Sequence, residues 1–334
     1  MEAQELQQLF FRHIKSILPP NISLADEIAE RLNISNDSAY RRIRGDKAIS
    51  LEEIQTLSRH YRISLDRLMN IDSDAIIFMG KHAGAEHFDF AAYLEETLMN
   101  LKMINAAQNK MLYYEAKDLP IFYYYQFTEL AAFKYFFWIR NVLCAPEYSK
   151  VRHFEDNELQ EVIYKTGREI IKTYCQIPCA EIWGAESLHA TLRQIEYFKD
   201  TGVFKKKESI ELVFDQFRQL VEHVREQAEC GEKFLVGEKP RGDGQNYKLY
   251  YNQVFLGHNS VLVDTDGITT AFLNHGVMSY IATRDSSFCE YTRRSIENTM
   301  KKSALISAVS DKERNKLFNL LLDKIETERE QILK

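Results

Sequence analysis

The chain is poor in residues that interrupt regular structure. Its 334 residues include only 6 Pro and 13 Gly. That excludes a collagen-like or low-complexity chain and favours long helices with few linkers. Cysteine is scarce and odd in number, 5 in all, at positions 144, 175, 179, 230 and 289. This argues against a disulfide framework and fits reduced thiols in a cytoplasm. No run approaches the roughly 18 apolar residues of a membrane span. The start, Met-Glu-Ala-Gln-Glu-Leu, is acidic, so no secretory leader is expected. Positive charge is not in excess either: 43 Lys+Arg against 49 Asp+Glu give a formal net charge of −6. Nothing general then attracts nucleic acid, and any such contact must come from a local patch.

Signatures of catalysis and cofactor binding are also missing. There is no P-loop, G-x-G-x-x-G, H-E-x-x-H, C-x-x-C or G-x-S-x-G. No enzymatic activity, no cofactor and no metal are expected. Cys175 and Cys179 are the one close cysteine pair, but the nearest histidine, His189, stands alone, so they read as core or surface thiols. His82 and His87 read as solvated loop histidines.

What is present is a folded, globular composition, 45% hydrophobic and 28% charged, with length for two or three domains. The most informative stretch runs from Leu24 to Gly45. Leu24, Ile28 and Leu32 recur at i, i+4 and i+8, one apolar helical face, with small Ala25 and Ala29 beside them. Asn33 follows, a residue that tolerates the left-handed turn conformation. Ile34 plugs the junction, and Ser35 is a good N-cap for a second helix. That helix turns Ala39 and Ile43 inward and presents Asn36, Ser38, Tyr40, Arg41 and Arg44. Gly45 ends it. Residues 2–18 read as a preceding helix stopped by Pro19-Pro20. Ser50-Leu51-Glu52-Glu53 reads as a capping box opening another helix to His60, and Ser64 caps one more to about Asn70.

These residues resemble the helix-turn-helix of the Cro/C1 (XRE-type) repressors. Ile28-Ala29-Glu30-Arg31-Leu32-Asn33-Ile34-Ser35 stands where that family typically has Leu-Ala-x-x-Leu-Gly-Val-Ser. The likeness continues through Arg44-Gly45, Ser50 to Ile54, and Ile63 to Leu68. It covers residues 1–70, about a fifth of the chain. Asn33 replaces the usual turn glycine, and the Ile43-Arg44-Gly45 ending is one residue shorter than the common one. The resemblance implies a double-stranded DNA partner. A helix over 35–45 would lie in the major groove, with homodimeric binding to a palindromic operator. Arg41 and Arg44 would reach guanine or phosphate, and Asn36 would pair with adenine. Ser23 and Ser38 would hold phosphate oxygens, Tyr40 would press on a thymine methyl or a sugar, and Lys47 would touch the backbone. Arg41, Arg42, Arg44 and Lys47 form the clearest basic patch. Residues 1–70 as a whole are neutral, with ten Lys+Arg and ten Asp+Glu.

The expected fold is mainly α with a C-terminal antiparallel β meander (α+β). An all-α helix-turn-helix domain over 1–72 precedes a mixed, mostly helical domain over 73–334. Within the latter, 85–231 reads as helical apart from a strand at 110–115. The span 233–274 reads as a four-stranded meander beginning at Phe234-Leu235-Val236. Residues 276–334 read as helical again, with a short helix at 277–281, a longer one capped by Asp285 and a last one from Asp311. The aromatic run 121–143 reads as a buried central helix or as a ligand or dimer surface. The last helix is heptad-like for two or three turns, which allows a dimerising pair.

The order of helix, strand, helical excursion, meander and a closing helix with Asp285-x-x-Phe288-x-x-Tyr291 resembles the degenerate phospholipase-D-like sensor domains attached to some regulators. The H-x-K-x-x-x-x-D motif of active members is absent: His13-Ile14-Lys15 is the lone H-x-K, with no Asp at the needed place. Hydrolysis is therefore not implied. The expected function is a transcription regulator whose C-terminal domain supplies dimerisation and senses a small-molecule effector, if there is one, of unknown identity. Two other classes stay open: a protein-interaction module whose helix-turn-helix no longer binds DNA, and an enzyme of another kind within 110–290.

Overall fold

Apolar residues at helical spacing draw five short helices around one small core at the start of the chain. In the computed structural model these are α1 (Ala3–Ile17), α2 (Leu24–Leu32), α3 (Asn36–Arg44), α4 (Leu51–Tyr61) and α5 (Leu65–Leu68). The structure describes residues 3–19, 21–61, 63, 65–68, 76–80, 89–157, 159–242, 246–254, 256–276 and 278–334. Phe10, Phe11 and Ile14 of α1 meet Ile28 and Ala29 of α2, Ala39 of α3 and Leu57 of α4 in the core. Ile34 packs against it from the turn, as its position between the two helices requires.

The chain divides into two units, Met1–Ile76 and Ile77–Lys334. The expected boundary at 72/73 lies outside the described residues, as do His82 and His87. In chain order the second unit contains β1 (Met79–Gly80), α6 (Phe90–Ala106), β2 (Lys110–Ala116), α7 (Thr128–Phe137) and α8 (Glu161–Cys175). Next come β3 (Cys179–Trp183), α9 (His189–Asp200), α10 (Lys207–Cys230), β4 (Tyr247–Tyr251), β5 (Ser260–Thr265) and β6 (Ile268–Gly276). Last are β7 (Ser279–Thr283), α11 (Ser286–Lys301), β8 (Ala304–Leu305) and α12 (Asp311–Leu333). The strands form one mixed sheet in the order β1-β7-β6-β5-β2-β3-β4-β8.

Two kinds of strand meet at β2. On one side β2, β3 and β4 run parallel, and the connections between them carry α7 and α8, then α9 and α10. A parallel strand needs such a crossover and is covered on both faces. All five residues of β3 are accordingly buried. On the other side β5, β6, β7 and β1 pair antiparallel. Asp266 and Gly267 turn β5 into β6, with φ of 47° and 86°, the left-handed pair that a two-residue hairpin requires. One sheet face packs on residues of α6, α7, α8, α10 and α12, the other on Cys289 and Ile296 of α11. The protein is thus α+β and mainly helical, and no helix among the described residues is long and apolar enough to cross a membrane.

Several expected boundaries move. Phe234-Leu235-Val236 is not a strand; its backbone is held by side chains. The Phe234 carbonyl accepts from Gln227 Nε2 at 2.7 Å, and Val236 N–H donates to Gln126 Oε1 at 2.8 Å. The meander comprises β5, β6 and β7 rather than four strands from 234, because β4 pairs with β3 and β8. Residues 279–283 form strand β7, not a helix. A strand, β3, also interrupts the expected helical stretch 85–231. The aromatic run is a 3₁₀ segment (Ile121–Gln126), then α7, then a π turn (Trp138–Val142), with most of its rings buried. α12 spends its apolar face, Leu317, Phe318, Leu321, Ile325 and Ile332, inside the same core as α10, so it is not a free dimerising helix.

Candidate nucleic-acid interface

Local sequence fixes α2 and α3 almost residue by residue. Ser35 caps α3: its Oγ accepts from Ser38 N–H at 3.3 Å. Ser23 does the same for α2 through Asp26 N–H at 3.5 Å. Both helices end in a Schellman arrangement. Asn33 takes the left-handed conformation (φ 52°, ψ 50°), and Ile34 N–H returns to the Ala29 carbonyl at 3.0 Å. Gly45 takes φ 85°, and Asp46 N–H returns to Arg41 O at 2.8 Å. Gly45 has a second reason to lack a side chain: a Cβ there would lie 2.6 Å from Gln4 Cγ of α1.

Side chains from three helices hold α3 in place. Gln7 Nε2 donates to the Arg42 carbonyl at 2.6 Å and the Lys47 carbonyl at 2.8 Å, and Gln8 Nε2 donates to the Arg44 carbonyl at 2.8 Å. They fasten the C-terminal end of α3 and the turn after it to α1. At the other end Asn36 Nδ2 donates to Asp26 Oδ1 at 2.7 Å and ties α3 to α2. Arg42 is buried, 5% exposed. Its Nε and Nη2 donate to the two carboxylate oxygens of Glu53 at 2.9 and 2.7 Å. Glu53 closes the capping box as well, accepting from Ser50 N–H at 3.0 Å while Ser50 Oγ accepts from Glu53 N–H at 3.2 Å. The Arg42 guanidinium holds the Glu53 carboxyl below the usual carboxylate range.

What remains outside is a narrow face. Tyr40 is 52% exposed, and Arg41, Arg44, Asn36, Lys47 and the acidic Asp37 are exposed with it. Arg41 has no ion pair among the described residues. Arg44 has a loose one, 3.3 Å to Asp46, between two exposed side chains, an arrangement worth little. Ser38 is half-buried, and its carbonyl accepts from Arg42 Nη1 at 3.1 Å. Ser23 is exposed at the start of α2. The structure thus removes Arg42 from the expected basic patch and makes it an internal tie. The exposed patch is Arg41, Arg44 and Lys47.

The second unit contains two polar centres that the sequence reading passed over. Glu181 of β3 is fully buried and accepts from Tyr123 Oη at 2.8 Å, Tyr174 Oη at 2.5 Å, Tyr247 Oη at 3.2 Å and Trp183 Nε1 at 2.8 Å. Burial pushes the three phenols far above their usual range, so all remain donors. Lys233 lies beside them, 3.7 Å above the Tyr174 ring. Burial also pushes the Cys175 and Cys179 thiols up to about 12, which makes both unreactive core thiols. The second centre is Lys134 of α7, 4% exposed. Its ammonium donates to Gln194 Oε1 at 2.6 Å and Thr191 Oγ1 at 3.2 Å, over the rings of Tyr124 and Trp138. Burial lowers its pKa to about 7 despite the nearby Asp118 carboxylate. A lone charge inside an apolar run, as in Phe-Lys-Tyr-Phe-Phe and Cys-Ala-Glu-Ile-Trp, is the signal that could have flagged both. Among the described residues no cluster of histidine, cysteine and carboxylates is arranged to hold a metal ion.

Comparison with protein-family models, curated proteins and solved structures finds no match to this chain.

Proposed function

We propose that the chain is a sequence-specific DNA-binding transcription regulator that grips a palindromic operator as a homodimer. One observation carries this reading: α3 is fastened on every side but one, and the free side presents Tyr40, Arg41 and Arg44 beside a single acid, Asp37, with Lys47 just beyond it. A rigid helix with one unsatisfied basic face suits insertion into the major groove, where arginine pairs with guanine O6/N7 and asparagine with adenine. Asn36 keeps its Oδ1 and one N–H for a base while the other N–H stays on Asp26. Ser23, Ser38 and Lys47 serve the phosphate backbone. The second unit supplies dimerisation.

The test is capture of genomic DNA fragments by the purified full-length protein, followed by Arg41→Ala with Arg44→Ala. An enriched palindrome, lost in the double variant at unchanged melting temperature, is the expected result. Capture with no enriched motif would turn the reading toward the protein-interaction module that a neutral head also allows.

A further inference from the structure

The third position of α2 holds Asp26. In a capping box the side chain at that position turns back to the N-cap N–H, as Glu53 of α4 does with Ser50 N–H at 3.0 Å. Asp26 is used otherwise. Ser23 Oγ accepts from Asp26 N–H at 3.5 Å, but the Asp26 carboxylate reaches across the turn, and its Oδ1 accepts from Asn36 Nδ2 at 2.7 Å. Both side chains are exposed, and among the described residues no cation pairs with Asp26. Asn36 is the first residue of α3, at the end from which the second helix of a helix-turn-helix reads base edges.

Chemistry gives this bond a direction. An asparagine amide turned by half a revolution exchanges its oxygen and its nitrogen. An ionised carboxylate only accepts. It holds the Asn36 nitrogen and repels the Asn36 oxygen, so one orientation is kept. Asn36 then offers an acceptor, Oδ1, beside a donor, its second N–H, in fixed order. Adenine presents the complement in the major groove, a donor at N6 beside an acceptor at N7, whereas guanine presents two acceptors, O6 and N7. A guanine O6 facing Asn36 Oδ1 would find no proton. The same carboxylate puts a negative charge at the edge of a face that phosphates would approach, so orientation is gained at some loss of attraction.

We propose that Asp26 is a specificity-determining positioning residue: it fixes the Asn36 amide so that Asn36 reads adenine, and it weakens sequence-independent attraction to DNA as it does so. This rests on the proposed role of α3 and adds the group that sets its selectivity.

Fluorescence anisotropy of the full-length protein tests it on a captured operator, on the single-base-pair variants of that operator and on random-sequence duplex. Asn36→Ala identifies the base pair that Asn36 reads, as the position where a preference for adenine of about tenfold or more disappears. Asp26→Asn should lower that preference to about threefold or less at that position and leave the rest of the half-site unchanged. It should also bind random duplex about twofold tighter at low salt, because one acid is gone. In the Asn36→Ala background, Asp26→Asn should alter no base preference yet keep the gain on random duplex. A wild-type adenine preference in Asp26→Asn overturns the inference. So do preferences reduced evenly over the half-site, which a merely loosened joint between α2 and α3 would give, and weaker binding to random duplex. Failure of the DNA reading looks different: the wild type would then enrich no motif, which overturns both. An operator lost with Arg41→Ala and Arg44→Ala but indifferent to Asp26→Asn overturns this inference alone.

Discussion

Arg41 and Arg42 are adjacent, and the helix turns them to opposite environments. Arg42 and Glu53 form a bidentate, largely desolvated pair, so removing one partner strands the other. Arg42→Ala should cost about 3 kcal/mol of stability in the first unit, whereas Arg41→Ala should fall within about 0.5 kcal/mol of wild type, as exposed changes do. Thermal unfolding of both variants followed by circular dichroism makes the comparison, and equal effects would show that the arginines had been assigned to the wrong sides. Lys134 allows a second test, in pH. Its folded pKa, about 7, lies below that of an unfolded lysine, so between these values the unfolded chain holds more protons. Stability contributed through Lys134 therefore rises with pH from about 7 to about 10 and is lowest below 7. Lys134→Met lacks this dependence. The melting temperature of wild type minus that of Lys134→Met should become more positive across that window, and a flat difference would show that the ammonium is solvated.

At the scale of elements, legibility followed locality. Helices α2 and α3 were readable because their caps, turn and inward face are set by residues within four positions of each other. The same is true of α11, whose Asp285 accepts from Phe288 N–H at 2.8 Å. β3 was not readable. A parallel strand buried on both faces shows no alternation, and its neighbours β2 and β4 lie far away in sequence. β7 forms where a short helix is expected at 277–281, because Ser-Tyr-Ile-Ala-Thr is too short for either period to declare itself. The internal role of Arg42 is not legible locally either, because its partner Glu53 stands eleven residues on, across a turn. One glycine shows how a tertiary contact overrides propensity. Gly167 sits inside α8, where alanine is intrinsically better by about 1 kcal/mol. Yet a Cβ at Gly167 would lie 2.1 Å from the Tyr125 ring, and Tyr125 is itself fully buried. Steric cost should win, and Gly167→Ala should destabilise the second unit by about 2 kcal/mol net. Gly167→Ala combined with Tyr125→Leu should recover part of this in a double-mutant cycle. Purely additive losses would place the strain elsewhere.

For the whole molecule, charge and symmetry would limit how DNA is held under the proposed function. Residues 1–70 are neutral overall and the chain carries −6, so the body repels DNA and attraction must be confined to the α3 face. The α3 face presents three exposed cations per head, Arg41, Arg44 and Lys47, which give at most about six neutralised phosphates for two heads. The logarithm of affinity should then fall with the logarithm of salt with a slope no steeper than roughly −5. A steeper slope measured by fluorescence anisotropy would mean that further parts of the chain touch the backbone. Spacing gives the complementary test. Two heads related by a two-fold axis read half-sites about one helical turn apart on one face of the duplex. Inserting about five base pairs between the half-sites of a captured operator turns the second half-site to the far side. Affinity should then drop to that of a single head. If the spaced operator binds the wild type as tightly as the original, the heads are not held by a two-fold body.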